Sequence, residues 1–245
     1  MAIQSDRDRL YAEPLEQVTD FVFDAKVAEV FPDMINRSVP GYGTIVRMIG
    51  LLAGRHVGTG GRCYDLGCSL GASALAMARG IEAPGCRILA VDNSPAMLAR
   101  ARGELIKAGP ATPIDLICAD IRDVRVRRAS MVVLNFTLQF IPPGERDELL
   151  REIHDNLLPG GILVLSEKIA FEDEGFQTLF SDMHHQFKRD QGYSDLEVSQ
   201  KRQSLERVLL PETLACHRER LERVGFRRQA VWFQCFNFMS LLAVR

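Results

Sequence analysis

In RCYDLGCSLGASALAMAR, residues 62–79, a strand pattern gives way to a glycine turn and then to a helix pattern. Arg62–Leu66 has the short, half-apolar character of a strand and runs into Gly67-Cys68-Ser69-Leu70-Gly71. The small, apolar run Ala72–Arg79 that follows is helix-prone. Glycines at such a junction let the backbone turn tightly and approach a ligand, with the amides of the helix start facing it.

Further along the chain the alternation continues. Arg87–Val91 (RILAV) reads as a second strand closed by Asp92; Ser94 is an N-cap with Pro95 at the first helical position, and Leu98, Ala101 and Leu105 mark the buried face. Ile114–Cys118 is a third strand, followed by Asp120, and Met131–Leu134 a fourth, followed by Asn135. Residues 144–157 are helical, with Leu149, Leu150, Ile153 and Leu157 on one side, until Pro159-Gly160-Gly161 stops them before the strand Ile162–Leu165. Strands alternating with helices at this pitch predict an α/β fold with a parallel sheet and helices on both faces.

The flanks depart from that repeat. Residues 1–43 are polar and mixed, with Phe21, Phe23, Val27, Val30 and Phe31 spaced like one helical face, and read as a covering extension. Residues 44–168, opened by an amphipathic helix over Thr44–Ala53, form the cofactor-binding core. Residues 169–210 are a charged, helical insertion without strand signal. Residues 211–245 hold a helix over Pro211–Val224, stopped by Gly225, and two strands about a tight turn near Phe236–Asn237. The expectation is one domain with a mixed seven-stranded sheet and a terminal antiparallel hairpin.

The composition narrows the function classes. At 245 residues, 47% hydrophobic, the chain is long enough to bury a core without disulfide or metal. Thirty Lys plus Arg against thirty-two Asp plus Glu give a net charge of −2, which argues against a surface that tracks a phosphate backbone. No apolar run approaches the ~18–20 residues of a membrane span. The opening MAIQSDRDRLYAEP lacks the apolar core of an export signal. Cys63, Cys68, Cys86, Cys118, Cys216 and Cys235 form no C-x-x-C and read as buried, reduced thiols of a cytoplasmic protein.

Ligands of open α/β sheets bind beyond the carboxyl ends of the strands. Here those ends carry, in order, the Gly67–Gly71 loop, Asp92-Asn93 suited to a ribose, Asp120-Ile121 suited to an adenine edge and face, and Asn135. A nicotinamide enzyme would show G-x-G-x-x-G; this loop has Ser69 between Gly67 and Gly71. The D-x-G-x-x-x-G spacing, Asp120 and the terminal hairpin resemble instead the class I methyltransferase fold, which is Rossmann-like and binds S-adenosylmethionine.

The runs RSVPGY (37–42), YDLGCSLG (64–71), DNSPAML (92–98), SMVVLNFTLQF (130–140), PGGILVLSEK (159–168), MHHQFKR (183–189), with the GYS, LE and SQKR groups up to residue 202, and WFQCFNF (232–238) look like the carboxy-S-adenosylmethionine synthase family. They cover most of the chain, and several lie outside the generic cofactor motifs. The resemblance implies conversion of S-adenosylmethionine and prephenate to carboxy-S-adenosylmethionine and phenylpyruvate. In the mechanism it implies, prephenate loses carbon dioxide and its ring hydroxyl. The hydroxide takes a proton from the sulfonium methyl, and the resulting ylide captures the carbon dioxide. The product passes to a separate enzyme that carboxymethylates the tRNA wobble uridine, so no direct nucleic-acid contact is expected. The resemblance also implies a homodimer. It assigns cofactor contacts to Tyr42, Gly67, Cys68, Ser69, Asp92, Asn93, Asp120, Ile121 and Asn135, and the grip on the added carboxylate to Arg202. No protein general base is named.

Other residues have plainer readings. Asp65 holds the loop through backbone hydrogen bonds, and Cys68 contributes main chain. His184-His185 are structural rather than metal ligands, since adjacent helical residues diverge by about 100°. The Arg122–Arg128 and Arg218–Arg228 clusters are solvated faces balanced by Asp123, Glu219 and Glu222, and Trp232 and Phe233 fill the sheet core. Lys201, Arg202 and Arg37 are equal candidates for the carboxylates of prephenate. The competing function is an ordinary S-adenosylmethionine-dependent methyltransferase acting on a small molecule or tRNA, although Asn135-Phe136-Thr137 lacks the paired prolines of an amine methylase. A non-catalytic module that kept the pocket is the other alternative.

Overall fold

The computed structural model describes residues 7–245, so the first six residues of the predicted extension lie outside it. Its elements are α1 (Ala25–Ser38), α2 (Tyr42–His56), β1 (Arg62–Leu66), α3 (Ala72–Gly80), β2 (Arg87–Asp92), α4 (Pro95–Ala108), β3 (Ile114–Cys118) and β4 (Ala129–Asn135). These are followed by α5 (Arg146–Asn156), β5 (Leu157–Ala170), α6 (Glu174–Asp190), α7 (Asp195–Leu205), β6 (Glu212–Thr213), α8 (Leu214–Val224), β7 (Arg228–Cys235) and β8 (Phe238–Val244). The sheet runs β3-β2-β1-β4-β5-β8-β7. The first five strands are parallel; β8 pairs antiparallel to β5 and to β7. This is the class I methyltransferase-like arrangement.

Alternate strand residues serve opposite faces, as the pleat requires. Tyr64, Val132 and Leu163 join a core beneath Leu150 and Ile153 of α5 and Leu221 of α8. Their neighbours Cys63, Met131 and Ile162 pack beneath Ile45 and Ile49 of α2 and Ala74 and Met77 of α3. Burial on both faces explains why the central strands read as continuous apolar runs.

Five expectations are corrected. The sheet has an eighth strand, because Glu212 and Thr213 pair with Ile169 and Ala170 instead of opening the last helix; Thr213 caps that helix, its side chain accepting from the amide of Cys216. Pro159-Gly160-Gly161 does not precede β5 but forms an irregularity within it, between the pairs Ala129–Leu157 and Met131–Ile162. Phe21 and Phe23 are not on the α1 face, since Asp24 caps α1 by accepting from Val27 N at 2.9 Å and leaves them in the extended approach to it. Cys63, Cys68 and Cys86 are buried, but Cys118 is exposed and Cys216 and Cys235 are half-buried. Trp232 and Phe233, on edge strand β7, are likewise only half-buried.

Three glycines, Gly50, Gly54 and Gly80, let α2 and α3 approach closely. A Cβ on Gly50 would stand 2.7 Å from the carbonyl oxygen of Ala76, and one on Gly80 would collide with the carbonyl of Gly50. Gly43, on the same helix as Gly50, has open space around it. Gly80→Ala is therefore expected to cost about 1–3 kcal/mol of stability through overpacking, whereas Gly43→Ala should cost nothing and gain up to about 1 kcal/mol. Urea unfolding of both variants checks this; equal stabilities would contradict the close helix contact.

Candidate functional site

The loop after β1 holds three residues in the left-handed region: Gly67 at φ 80°, Ser69 at 48° and Gly71 at 81°. A side chain on Gly67 would run into Thr137. For Ser69 the conformation is unfavourable and needs compensation. The compensation comes from β2: the amides of Gly67 and Cys68 donate to the carbonyl of Val91 at 2.8 and 2.9 Å. The Asp92 carboxylate accepts from Ser69 N at 2.8 Å and from Ser94 N at 2.9 Å. Asp65 accepts from Ala74 N at 2.9 Å, the backbone role expected of it. Burial pushes its carboxyl up to about 7, and burial raises Asp92 as well.

A cavity of about 720 Å³ opens beyond these strand ends. All ten predicted site residues line it. Tyr42 faces it from the start of α2, Gly67, Cys68 and Ser69 from the loop, Asp92 and Asn93 from the end of β2, Asp120 and Ile121 beyond β3, Asn135 from the end of β4, and Arg202 from α7. Cys68 is buried, with a thiol raised far beyond the ordinary range by burial, so it offers no thiolate. Asn135 donates to Ser73 Oγ at 3.2 Å, while its Oδ1 is buried without a partner. Asp120 is already engaged: Arg122 donates to it from its amide and guanidinium, holding it below the usual carboxylate range.

The cation expectations change. Arg37 does not line the cavity; it is buried against Asp33 at 2.9 Å and Gln191 O at 2.8 Å and stacks 3.8 Å from the Tyr193 ring centre. Lys201 does line it, 5% exposed, beside Asp8 at 3.6 Å. Two lysines that the sequence reading missed, Lys168 on β5 and Lys188 on α6, join it there. The signal for Lys188 was its position four residues after His184, one turn along the same helix face. His184 and His185 also line the cavity. Burial lowers His184 to about 2, and its Nε2 sits 2.8 Å from the carbonyl oxygen of Ser38, so that nitrogen carries the proton and donates. Among the described residues no three His, Cys, Asp or Glu side chains form a metal-binding group.

The arginine clusters pair differently from the expectation. Arg122 bonds Asp120 and Glu145, and Arg125 bonds Glu152. Arg220 is no solvated residue at all but is buried between Asp147 at 2.7 Å and Glu212 at 2.6 Å.

Comparison with known proteins places this site in context. Residues 64–161 match the family described as "Methyltransferase domain". A carboxy-S-adenosyl-L-methionine synthase of Geobacter metallireducens is 58% identical over 97% of this chain and 98% of its own. One from Yersinia pestis is 54% identical over 100% of this chain and 91% of its own. Among solved structures, magnesium protoporphyrin IX methyltransferase from Synechocystis superposes with a TM-score of 0.55 at 18% identity, covering 83% of this chain and 81% of that one. An O-methyltransferase family protein from Burkholderia thailandensis superposes with a TM-score of 0.65 at 16% identity, covering 91% of this chain and 60% of that one. The structural likenesses establish the fold alone.

Buried Asp65 makes stability depend on pH. Its folded value of about 7 exceeds the ordinary 3.8, so the folded chain keeps a proton that the unfolded chain has released. That contribution is fully present below pH 3.8 and is lost as pH rises through about 7. Asp65→Asn, which can still accept from Ala74 N, should remove it. Urea midpoints at pH 5 and pH 8 should then fall less for the variant than for the wild type. Parallel falls would mean that Asp65 is ionised throughout.

Proposed function

The chain belongs to the carboxy-S-adenosyl-L-methionine synthase family, and from that footing we propose that it converts S-adenosyl-L-methionine and prephenate to carboxy-S-adenosyl-L-methionine, phenylpyruvate and water. The observation that carries this reading is Arg202. It lines the same cavity as Asp92 and the glycine loop, is exposed, and among the described residues has no carboxylate partner. Methyl transfer has no use for a guanidinium near a sulfonium, because like charges repel. A carboxylate added to the sulfonium methyl gives that guanidinium an anion to bind and can accept two parallel hydrogen bonds from it.

The residues present suit the cofactor. A cavity of about 720 Å³ falls in the range of small-molecule sites, Gly67 leaves room where a Cβ would clash, and Asn135 Oδ1 is a buried acceptor awaiting a donor. In this reading Asp92 keeps lone pairs for the ribose hydroxyls after accepting its two amides. Ile121 lies against the adenine, whose edge meets the Asp120 turn. Tyr42 closes the methionine side, and Arg202 receives the new carboxylate.

The chemistry balances without a protein base. Prephenate loses carbon dioxide and hydroxide as its ring aromatises, the hydroxide removes one proton from the sulfonium methyl to give water, and the methyl carbon bonds the carbon dioxide. The protein's part is to hold both substrates and exclude bulk water, and Phe21, Phe23 and Phe140 in the cavity wall support that. In the same reading the product passes to a separate tRNA-carboxymethylating enzyme in the cytoplasm, and the net charge of −2 accords with the absence of direct nucleic-acid contact. Among the described residues no helix is long and apolar enough to cross a membrane. A homodimer is supported by Phe176, Leu179 and Met183, exposed at helical spacing on α6.

The test uses mass spectrometry and calorimetry together. S-adenosylmethionine alone should stay intact, and adding prephenate should yield both products. Arg202→Ala should weaken binding of carboxy-S-adenosylmethionine by roughly 10- to 150-fold, the range for charge-assisted bonds, while changing S-adenosylmethionine affinity far less. Arg202→Lys should recover only part, since an ammonium lacks the fork. Methyl transfer to tRNA without prephenate, or equal losses for both ligands, would contradict the synthase reading.

A further inference from the structure

One wall of the cavity carries more positive charge than any cofactor contact explains. Lys168 on β5, Lys188 on α6 and Lys201 on α7 line it together. Lys188 is only 6% exposed. Neither its ammonium nor that of Lys168 has a hydrogen-bond or ion-pair partner among the described residues; Lys201 donates to Ser38 Oγ at 3.3 Å and lies 3.6 Å from Asp8. Asp8 is itself committed, accepting from the Tyr193 hydroxyl at 2.5 Å. The other groups facing the cluster do not balance it. Arg202 adds a charge from α7, Arg37 is neutralised by Asp33 on α1, and His184 and His185 are lowered by burial and by these same lysines. Glu206, just after α7, is the acid of this wall; Asp92 and Asp120 stand at the strand ends.

Burying an ammonium with no counter-charge is costly, and such a group in a cleft marks a place where a ligand supplies the charge. We propose that Lys168, Lys188 and Lys201 form a dicarboxylate subsite, distinct from the Arg202 contact, that holds the second substrate. The proposal rests on the synthase reading for the identity of that substrate. Prephenate carries two carboxylates and phenylpyruvate one, so turnover moves one anion from the lysines toward Arg202. The lysines are left facing a monoanion, which weakens their hold on the spent substrate and favours its release.

The protonation of the cluster follows the same logic. Burial, then repulsion from Lys201 and Lys168, brings Lys188 down to about 7. Burial brings Lys201 down to about 8, with Asp8 opposing the fall. Lys168 is lowered by burial and by Arg202. An entering dianion reverses these costs, so binding at pH 8 takes up protons from the buffer.

Binding can be measured without turnover in protein saturated with S-adenosylhomocysteine, which has no methyl to carboxylate. Calorimetric titrations with prephenate, phenylpyruvate and benzylmalonate, a dicarboxylate without the reactive ring, should give tighter binding for both dicarboxylates than for phenylpyruvate. At pH 8 the dicarboxylate heats should depend on the ionisation enthalpy of the buffer in the sense of proton uptake. Lys188→Met and Lys168→Met should each weaken the dicarboxylates by about 10-fold or more and bring them toward phenylpyruvate. Lys188→Arg should retain most of the affinity, and S-adenosylhomocysteine affinity, the check on folding, should change less than about twofold. A parallel loss of S-adenosylhomocysteine in both Met variants would assign the lysines to the cofactor's own carboxylate and overturn the subsite. So would unchanged dicarboxylate binding with prephenate turnover intact, which leaves the synthase reading standing. Lysine-dependent binding of benzylmalonate in a wild type that does not turn over prephenate would uphold the subsite and remove the synthase reading.

Discussion

The Asp92 carboxylate is the fixed point of this molecule. One oxygen accepts the amide of Ser69, inside a loop whose left-handed conformation is otherwise unfavourable, and the other accepts the amide of Ser94, the cap of α4. Hydrogen bonds to a charged group contribute about 1.5–3 kcal/mol, enough to offset the strain at Ser69. The end of β2, the loop and the start of α4 are thereby locked in one geometry before any ligand arrives, while Asp65 holds the first turn of α3. The same carboxylate faces the cavity, so the element that stabilises the site is also one that a ribose would meet.

The opposite wall is built on a different principle. Helix α7, which carries Lys201 and Arg202, is held by the segment preceding α1. The Tyr11 hydroxyl donates to Ser204 Oγ at 2.9 Å, Gln200 donates to the carbonyls of Tyr11 and Glu13, and Phe21 N donates to Ser204 O. Asp8, from the same segment, is the counter-charge nearest Lys201. The ends of the first four sheet strands thus present acceptors and amides to one half of the cavity, and the added helices α6 and α7, with Lys168 of β5, present cations to the other. That asymmetry suits a positively charged sulfonium between a ribose contact and an incoming dianion.

The sheet was legible in the sequence because its strands are largely apolar runs and the first four are each followed by a glycine or polar residue that breaks the run: Gly67, Asp92, Asp120 and Asn135. The two-residue strand Glu212–Thr213 was not, because its position depends on side chains distant in sequence. Arg146, fully buried, bonds Glu212 together with the carbonyls of Ile141 and Leu210. Phe21 and Phe23 were misplaced for want of the Asp24 cap, visible only once the helix start is known. Among the cations, spacing gave no means to separate Arg37, consumed by Asp33 and Tyr193, from Lys168 and Lys188, which line the cavity without a counter-charge. Charge is written in the sequence, but its neutralisation is decided by tertiary contacts.

A cavity that holds both substrates should pass carbon dioxide from one to the other without releasing it. The most direct measurement is turnover of prephenate labelled with carbon-13 in its ring carboxylate, in buffer containing unlabelled bicarbonate, followed by mass spectrometry of the sulfonium product. Full retention of the label in the new carboxylate is expected. Dilution of the label by bicarbonate would contradict a closed transfer, and a product without the added carboxylate would contradict the proposed reaction itself.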